Sequence, residues 1–562
     1  MVKLKIEFKT TQLDIKQYVS DRITNALGAL GVEGASVILE RPKDASHGDI
    51  SCNAAMMYAK KLGKNPKDFA QAIIEELALP DEYITGATVA GPGFINLFIA
   101  NNYYTSKLSE INELKGNFGR LNDNAGKTAD IEWVSANPTG ELHTGHGRQT
   151  ALGKAIANLL EWTGYKVTRE YYYNNAGKQM DNLAKSVYAR YRQIFEPEFP
   201  FPEDAYAGDY VKEIAAILEK EHGDALIDAD NKIFREAGEN WCFKSIRQTL
   251  HNFGITHDVF FNESSLYESG KITETLEEFK KRGLSYEKDG AVWLKTSELL
   301  KNKKDATDKV IVKATGEPTY RLPDMAYHID KVKRGYDVII DIFGADHGDT
   351  YKEVLAGMEG LGYDTSKIKV IIHQMVTFVQ DGKPVKMSKR ADNVYTLDDL
   401  IEDIGVDVTQ FFFVMRSANT HLEFDIALAR EQSDKNPVFY LQYAHARICS
   451  ILRNALEVFP DYSKSAAVNY SLLSSPEAIS LMKILTVFPE TVASAAATME
   501  PHKIITYLNE VAENYHRFYH NNRVIDAEAK ELSYARLNLC EAARIVLKNG
   551  FDIIGISAPE RM

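Results

Sequence analysis

Cysteine is scarce in this 562-residue chain, and its four cysteines lie far apart. Cys52, Cys242, Cys449 and Cys540 show no C-x-x-C spacing, so we expect reduced thiols rather than a zinc knuckle or a disulfide framework. The chain also lacks a run of about 18 apolar residues and a signal-peptide-like start. These absences favour a cytoplasmic protein with no membrane partner, no redox role and no protein-bound structural metal.

An excess of basic residues is also missing. The formal net charge is -13 at pH 7, from 66 Lys and Arg against 79 Asp and Glu. Phosphate binding normally needs a basic field, so this balance argues mildly against a nucleic-acid partner without excluding a local basic surface. Hydrophobic residues make up 44% and charged residues 26% of the chain, an ordinary globular composition with length for roughly three or four domains.

The most informative stretch is Ser135 to Arg148, which reads S-A-N-P-T-G-E-L-H-T-G-H-G-R. It follows a strand-like run (129–134) and precedes a helical apolar pattern, so it lies at a strand-to-helix turn of the kind that binds phosphates. Its glycines permit close backbone approach, the helix start offers unpaired N–H groups to an anion, and His143 and His146 share one helical face. A zinc site would need further ligands, which the neighbouring sequence does not supply.

A second stretch, Val385 to Asn393, reads V-K-M-S-K-R-A-D-N. A β-rich run (370–379) and a turn come before it and a helical pattern (397–404) comes after it, so a loop is predicted. Lys386 and Lys389 would place two ammonium groups where they could meet a pyrophosphate leaving group. Either stretch alone is a weak signal, because a single K-x-x-K is more often a pair of solvated surface lysines.

Together, H-x-G-H and K-M-S-K-R, about 240 residues apart, resemble the paired signatures of class I aminoacyl-tRNA synthetases. The surrounding segments resemble arginyl-tRNA synthetases: F-N-E-S-S-L-Y (261–267), P-T-Y-R-L-P-D-M-A-Y-H (318–328) and G-I-S-A-P-E-R-M (555–562). The resemblance spans essentially the whole chain. It implies activation of L-arginine by ATP, used with Mg²⁺, to arginyl-adenylate, and transfer to the 3′-terminal adenosine of tRNA(Arg).

The resemblance also implies which residues bind ATP. Because the amino-acid carboxylate is the nucleophile, the reaction needs in-line positioning and neutralisation of phosphate charge rather than a classical base. His143, His146, Lys386 and Lys389 are the catalytic candidates. The ATP-binding candidates are Pro138, Thr139, Gly140, His143, Gly145, His146, Met375, Val376, Lys386, Met387, Ser388 and Lys389.

Arginine as a substrate demands acceptors in a fixed fork, since a guanidinium is planar, permanently charged and carries five donors. Glu132 and Asp324 are the candidate carboxylates, although each taken alone is more often part of a structural ion pair. Tyr320 is expected to cover the aliphatic stem or to hydrogen-bond, and Asn137 to hold the α-ammonium or carboxylate end. By resemblance, the arginine-binding candidates are Glu132, Ser135, Asn137, Tyr320, Asp324 and His347.

Three domains are predicted. Residues 1–112 have a small α+β pattern and resemble the additional N-terminal domain of arginyl-tRNA synthetases, which contacts the outer corner of the tRNA. Residues 113–400 alternate strands and helices, which predicts a Rossmann-like α/β catalytic domain with a parallel sheet. A helical insertion at about 175–260 is expected to have no editing site. Residues 401–562 read as a wholly helical bundle that binds the anticodon.

The helical C-terminal part is nearly balanced in charge, with twelve Lys and Arg against thirteen Asp and Glu from residue 440 onward. Single-stranded loops are read by stacking on aromatic rings and by Arg contacts, so an RNA partner fits this region. The candidate tRNA contacts are Arg447, Tyr515, Tyr519 and Met562. We expect a monomer with tRNA(Arg), L-arginine and ATP as partners.

Three alternatives stay open on the sequence. A class I synthetase for another amino acid is disfavoured by the paired carboxylates and the lack of a Cys/His zinc set. A noncatalytic tRNA-binding paralogue is disfavoured by the intact histidines and lysines of the two signatures. A free-standing nucleotidyltransferase of the H-x-G-H type would leave the helical C-terminal domain without a role.

Overall fold

The structure, a computed structural model, describes residues 14–42, 44–175, 177–300, 306–385, 387, 395–462 and 468–562. It divides into two compact units. The first consists of the chain up to Leu114, Ala455–Thr486 and Arg517–Ala542, and the second of Lys115–Asn454, Val487–His516 and Ala543–Met562. Because the C-terminal helices contribute to both units, the domain boundaries at residues 112 and 400 stay predictions.

The first unit contains a four-stranded antiparallel sheet covered by helices. The strands in spatial order are β1 (Leu39–Glu40), β2 (Ile50–Cys52), β4 (Phe94–Ile99) and β3 (Ile84–Ala90). The helices of this part are α1 (Ile15–Ala29), α2 (Ala54–Tyr58), α3 (Pro66–Glu76) and α4 (Asn101–Leu114). The small N-terminal α+β fold predicted from the sequence is thereby confirmed.

The second unit is organised around a five-stranded, fully parallel sheet. Its strands in spatial order are β12 (Ile368–His373), β11 (Val338–Gly344), β5 (Thr128–Glu132), β6 (Lys166–Tyr173) and β7 (Val259–Asn262). The chain proceeds from β5 through β6 to β7 and then returns to the other side of β5 with β11. The topological switch point therefore lies between β5 and β11, where doubly wound sheets bind ligands at the carboxyl ends of their strands.

Two small sheets accompany the parallel one. The first has the order β10 (Lys309–Val312), β9 (Ala291–Leu294), β8 (Ser285–Lys288), and the second has the order β14 (Lys383–Pro384), β13 (Val376–Gln380), β15 (Leu422–Asp425). The expectation that the chain is wholly helical beyond about residue 405 is wrong at β15. That strand forms by pairing in parallel with β13, and a four-residue alternation is too short to predict without its partner.

Helix α5 (Thr144–Trp162) follows β5 and carries the two histidines. The predicted insertion is helical, and its helices α6 (Lys178–Phe195), α7 (Asp209–His222) and α8 (Asn231–Asn252) share an apolar core of their own. The other helices up to residue 430 are α9 (Ser264–Glu268), α10 (Lys271–Lys281), α11 (Thr296–Leu299), α12 (Arg321–Lys333), α13 (Thr350–Gly360), α14 (Leu397–Ile404), α15 (Val406–Val414) and α16 (Ile426–Arg430).

The remainder of the described chain is helical, as predicted. Its helices are α17 (Pro437–Val458), α18 (Pro476–Thr486), α19 (Phe488–Thr498), α20 (His502–Asn521) and α21 (Lys530–Ile554). The stretch Pro476–Thr498 is, within the described chain, the one span that is long and apolar enough to cross a membrane, and 44% of its most apolar window is buried inside the protein. Core helices of globular proteins pass the same test of length and composition.

The packing of α5 on β5 leads to a stability prediction. A Cβ atom at Gly153 would lie 2.1 Å from the ring of Trp133, which is fully buried and cannot move aside. We expect Gly153→Ala to destabilise the protein by roughly 1–3 kcal/mol, the usual cost of overpacking. Gly28→Ala in α1 is the matched control, because no atom lies within 4 Å of its added Cβ and alanine favours a helix. Thermal unfolding at one fixed scan rate compares them; equal midpoints would contradict the prediction.

Candidate active site

The turn after β5 has an unusual backbone. Val134 and Ser135 have positive φ values of 70° and 43°, a region that β-branched residues rarely adopt. The Ser135 hydroxyl donates to Glu132 Oε1 at 2.9 Å and accepts from the N–H of Tyr172 at 3.1 Å, which ties the turn to β6. Such strain is often stored at binding sites. The turn thereby places residues 136–140 at the carboxyl edge of the sheet.

The helical insertion holds this turn from the other side. Asn137 Nδ2 donates to Gln179 Oε1 at 2.6 Å, and the hydroxyl of Tyr210 donates to the carbonyl of Thr139 at 2.5 Å. Tyr210 is itself stacked on Trp241, with ring centroids 5.3 Å apart. Pro138 is buried, whereas Gly140 is half-buried. The P-T-G segment is therefore fixed in position by α6 and α7.

His143 and His146 form a capping box at the start of α5. Nδ1 of His143 accepts from the N–H of Gly145 at 3.0 Å, and Nδ1 of His146 accepts from the N–H of His143 at 3.3 Å. Their rings lie 3.9 Å apart. Since both Nδ1 atoms act as acceptors, each neutral ring carries its proton on Nε2. Gly145 is required here, because a Cβ would lie 2.7 Å from the His143 ring.

Burial lowers the pKa of both rings. The pKa of His143 is lowered by desolvation, and that of His146 falls to about 3 through desolvation and then the nearby His143. At neutral pH the pair therefore consists of two uncharged N–H donors. Such donors suit a triphosphate, because a neutral imidazole can donate a hydrogen bond to a phosphate oxygen without itself changing its protonation state.

The prediction that the N–H groups at the start of α5 are unpaired is wrong. The N–H of Thr144 donates to the carbonyl of Tyr395 at 3.3 Å, that of Gly145 to His143 Nδ1, and that of His146 to the carbonyl of His143 at 2.9 Å. The imidazoles and a neighbouring segment occupy the donors that a phosphate would otherwise use. Anion binding here thus depends on side chains and on the helix dipole.

The second signature is described only at its edges. Lys386, Ser388 and Lys389 lie outside the described residues, and Met387 is half-buried. The segment enters from β14, where the N–H of Val385 donates to the carbonyl of Phe378 at 2.9 Å. The described chain resumes at Tyr395, and residues 395–397 pair with the first signature through backbone hydrogen bonds.

This pairing is made by backbone atoms. His143 and Thr396 form an antiparallel β-bridge, and the N–H of Leu397 donates to the carbonyl of Leu142 at 2.7 Å. The described end of the lysine-bearing segment is thus held against the histidine that begins α5. Residues 395–397, which follow the second motif in sequence, therefore lie beside the first motif.

The segment after β12 reaches the same edge. Arg148, fully buried on α5, donates to the carbonyls of Gln374 at 2.7 Å and Ser417 at 2.8 Å. Met375 is 72% exposed, and its carbonyl accepts from the N–H of Leu422 at 3.2 Å. Val376 begins β13 and is half-buried. Arg148 therefore fixes the segment of the ATP-binding candidates Met375 and Val376 relative to α5. The sequence did not suggest this role.

Two acidic side chains, Glu263 after β7 and Asp324 on α12, lie close enough that Glu263 raises the pKa of Asp324, and we refer to this pair as the acidic pocket. Glu263 follows β7 directly, is buried, and accepts from the hydroxyl of Tyr172 at 2.6 Å. Among the described residues, no cation lies within ion-pair distance of Glu263 or of the Asp324 carboxylate. Desolvation raises the pKa of Asp324 to about 7, with Glu263 and Glu132 raising it and His328 and Arg321 opposing them. Two carboxyl groups without a cation suit a cationic ligand.

Glu263 was missed by the sequence analysis. It lies in the F-N-E-S-S-L-Y segment, at the carboxyl end of a strand of the parallel sheet, which is where ligand-binding residues concentrate. Recognising residues 259–262 as a strand would have been sufficient to nominate it. Burial raises its pKa, against the hydrogen bond from Tyr172.

Glu132, by contrast, is held in a buried network. Its Oε2 accepts from Lys331 Nζ at 2.6 Å and from the hydroxyl of Tyr327 at 2.9 Å, while Oε1 accepts from Ser135. Lys331 also donates to Asp341 Oδ1 at 2.5 Å. A carboxylate has about four acceptor sites, so one site of Glu132 stays available to a ligand.

The remaining predicted arginine-binding residues are Tyr320 and His347. Tyr320, just before α12, is 73% exposed, so its ring does not cover the pocket in this conformation. The side chain of His347 is outside the described structure. Among the described residues, no group of three or more His, Cys, Asp or Glu is placed to hold a metal ion.

The four candidate RNA contacts differ in their exposure to solvent. Tyr515 is fully buried, so a direct stack of its ring on a base, as predicted, is wrong for this structure. Arg447 lies over the ring of exposed Tyr443, 5.8 Å from its centroid, and Met562 is exposed. Tyr519, on α20, belongs to the other compact unit and is half-buried. An aromatic residue on an amphipathic helix can face either way, and composition cannot distinguish the two.

Comparison with known proteins covers nearly the whole chain. Family models match at residues 14–99 (arginyl tRNA synthetase N terminal domain), 110–411 (tRNA synthetases class I (R), catalytic domain) and 441–562 (DALR anticodon binding domain). The arginine–tRNA ligase of Salinibacter ruber is 46% identical, covering 98% of this chain and 100% of the relative. That of Desulfotalea psychrophila is 47% identical, covering 93% and 94%.

The fold is also that of a solved structure. The arginyl-tRNA synthetase of Thermus thermophilus superposes with a TM-score of 0.74 at 20% identity, covering 98% of this chain and all of that one. At this identity the match concerns the fold: an N-terminal α+β domain, a parallel-sheet catalytic domain and a helical C-terminal domain.

The histidine pair yields a titration prediction. His146 should stay neutral from pH 8 to about pH 4, because its pKa is lowered to about 3, whereas an ordinary histidine titrates near 6.5. Since the folded state binds the proton less tightly, this group contributes stability above about pH 6.5 that is lost as the pH falls towards 3. NMR of ¹³C-labelled histidines, with His146→Gln for assignment, measures the midpoint. A midpoint at 6.5 or above would refute the prediction.

Proposed function

The chain belongs to the arginyl-tRNA synthetase family, and on that premise we propose which of its residues perform the arginine–tRNA ligase reaction. The enzyme activates L-arginine with ATP to arginyl-adenylate and pyrophosphate, and then transfers the arginyl group to tRNA(Arg). The backbone pairing of His143 with Thr396 carries the assignment. It supports one ATP site built from both signatures, although they are about 240 residues apart.

His143 and His146 donate Nε2–H groups to the phosphates of ATP. Their neutral state supports this role, since an uncharged donor can follow charge as it grows on the α-phosphate without changing protonation. Lys386 and Lys389 provide the positive charge that the departing pyrophosphate needs. Pro138, Thr139 and Gly140 border the nucleotide, and Met375 and Val376 border the adenine. Met387 and Ser388 complete the lysine-bearing loop.

Mg²⁺ enters this site with ATP. The lack of a three-residue donor group in the described structure supports an ion held chiefly by phosphate oxygens and water, as Mg²⁺ commonly is. The ion would neutralise phosphate charge. The histidines then hold the triphosphate in line with the arginine carboxylate.

Arginine binds with its guanidinium between Asp324 and Glu263. Support comes from the two uncompensated carboxyl groups, which a planar cation with five donors can bridge. Glu132 and Ser135 form the floor of the pocket, and Asn137 Oδ1 accepts from the α-ammonium group. Tyr320 would close over the substrate from its exposed position. His347 stays in the arginine-binding set on the resemblance alone.

The RNA contacts lie on two surfaces. On α17, the exposed Tyr443 and the half-buried Arg447 lie together near the half-buried His516, and the exposed ring suits stacking on unpaired bases. Met562 extends this surface, and Tyr519 contributes separately. On the N-terminal domain, a lysine cluster (Lys60, Lys61, Lys64 and Lys67) is exposed. It supplies the local basic surface that the net charge of -13 does not exclude.

The protein acts in the cytoplasm as a monomer without a membrane partner. These assignments rest on the sequence, and light scattering of the purified protein decides the oligomeric state. The editing-free insertion is likewise proposed from the sequence.

Exchange of labelled pyrophosphate into ATP tests the proposed activity. We expect exchange that depends on arginine, run with and without tRNA(Arg) and with other amino acids as controls. Exchange with another amino acid would refute the pocket, and no exchange from folded, tRNA-binding protein would indicate a noncatalytic paralogue. Exchange with arginine alone would show that tRNA is not required for activation.

Asp324→Asn tests the pocket. Losing one charged contact of about 1.5–3 kcal/mol should raise KM for arginine roughly ten- to a hundredfold, with little change in KM for ATP. In the wild type, KM for arginine should rise as the pH falls through about 7, since protonation of Asp324 removes the same charge, and the variant should lack this dependence. Asp330→Asn, on the same helix in a partly exposed ion pair with Lys271, is the matched control. An unchanged KM in Asp324→Asn would remove Asp324 from the pocket.

Lys61→Gln with Lys64→Gln tests the N-terminal surface. If both lysines contact phosphates, the slope of log affinity against log salt should become shallower by up to about 1.8. Lys280→Gln with Lys281→Gln removes two exposed lysines from α10 and serves as the charge-matched control. Filter binding of tRNA(Arg) at several salt concentrations measures the slopes. Equal slopes in the two double variants would place the RNA elsewhere.

A further inference from the structure

Lys154, half-buried on α5, contacts the ends of two other helices. Its Nζ donates to the carbonyl of Phe253, just after α8, and to the carbonyl of Gly555, just after α21, both at 2.9 Å. The first carbonyl belongs to the insertion and the second to the C-terminal end of the chain. One ammonium group therefore caps two helices from distant parts of the sequence, α8 and α21.

Both helices end in the same manner. Gly254 and Gly555 have positive φ values of 74° and 81°, and the following N–H groups bond back into the last turn, Ile255 to Leu250 at 2.8 Å and Ile556 to Phe551 at 3.0 Å. Such ends gather carbonyls at the negative pole of the helix dipole, which favours a cation.

The two glycines also make room for Lys154. A Cβ at Gly555 would lie 2.7 Å from Lys154 Cε, and one at Gly254 would lie 3.2 Å from its Nζ. The lysine fits only because both helix ends lack a side chain at this point.

Further contacts reinforce the end of α21. Asn158 Nδ2, one turn along α5, donates to the carbonyls of Asp552 at 3.1 Å and Ile553 at 3.2 Å. Gln410 Nε2, on α15, bridges the carbonyls of Ala151 at 3.0 Å and Ile554 at 2.9 Å. The last four carbonyls of a helix have no partner within it. Here α5 and α15 provide partners for four consecutive carbonyls, from 552 to 555.

We propose that Lys154 is a positioning residue that sets the place of α5, and hence of His143 and His146, by capping the ends of α8 and α21 together. The inference rests on the proposed role of the histidines at ATP. His143 lies three helical turns before Lys154, and a regular helix transmits an axial shift along its length. Displacement of reacting groups by about 1 Å can lower a rate about a hundredfold.

The test compares Lys154→Met, which keeps an unbranched apolar stem but has no Nζ donor, with Lys154→Arg, which keeps charge and donors. We expect kcat for arginine-dependent pyrophosphate exchange to fall about tenfold or more in Lys154→Met, with KM for arginine unchanged because the acidic pocket is not touched. Lys154→Arg should recover to within about threefold of the wild type. Hydrogen exchange of residues 144–148 should accelerate only in Lys154→Met. These magnitudes follow from the sensitivity of catalysis to misplacement.

Lys548→Met is the matched control. It removes a lysine of α21 that forms a partly exposed ion pair with Asp552 at 2.7 Å. It should leave both kcat and hydrogen exchange unchanged. Wild-type kcat and exchange in Lys154→Met, or a loss of activity explained entirely by a smaller folded fraction, would overturn the proposal. If the wild type itself showed no arginine-dependent exchange, the proposed function would fail, while the hydrogen-exchange comparison would still decide the role of Lys154.

Discussion

The buried ammonium group of Lys331 joins the two strands at the switch point of the sheet. It lies 2.6 Å from Glu132 on β5 and 2.5 Å from Asp341 on β11, with no exposed surface. Removing one partner of such a group typically costs about 3–5 kcal/mol, because the other charge stays buried. Since Lys331 lies on α12, the same contacts fix the helix that carries Asp324. The sheet and one wall of the pocket that we propose for arginine therefore depend on a single cation.

The Lys331 network has more acids than bases, and the two carboxyl groups of the proposed arginine pocket add to this excess. Asp130 lies 3.8 Å from Lys331, and desolvation raises its pKa to about 8 despite that cation. Asp324 and Glu263 have raised pKa values for the same primary reason, burial. A binding site for a guanidinium must be held in this uncompensated state before the substrate arrives. Its cost in stability is offset by the packing elsewhere in the domain.

Much of this architecture follows from sequence, because periodicity and turn residues are local. The parallel sheet, the strand-to-helix turn at His143 and the helical C-terminal part were predicted in this way. What local pattern could not provide was orientation and register. The burial of Tyr515 and the formation of strand β15 depend on contacts with distant segments. The bond from the N–H of Gly145 to His143 is local, but it depends on the rotamer of the His143 ring. Glu263 could have been predicted from the sequence, but only after residues 259–262 were correctly assigned as a strand.

In the proposed site, the two signatures make different contributions at the triphosphate. The histidines are fixed by a capping box and kept neutral by burial, so they provide direction without charge. In the proposed site, Lys386 and Lys389 of the second signature provide the charge. Placing permanent cations on α5 instead would put charge beside the buried guanidinium of Arg148, whose pKa is already lowered to about 10 by desolvation. Neutral donors on the rigid helix and cations on the loop therefore avoid a repulsion that the reverse arrangement would create.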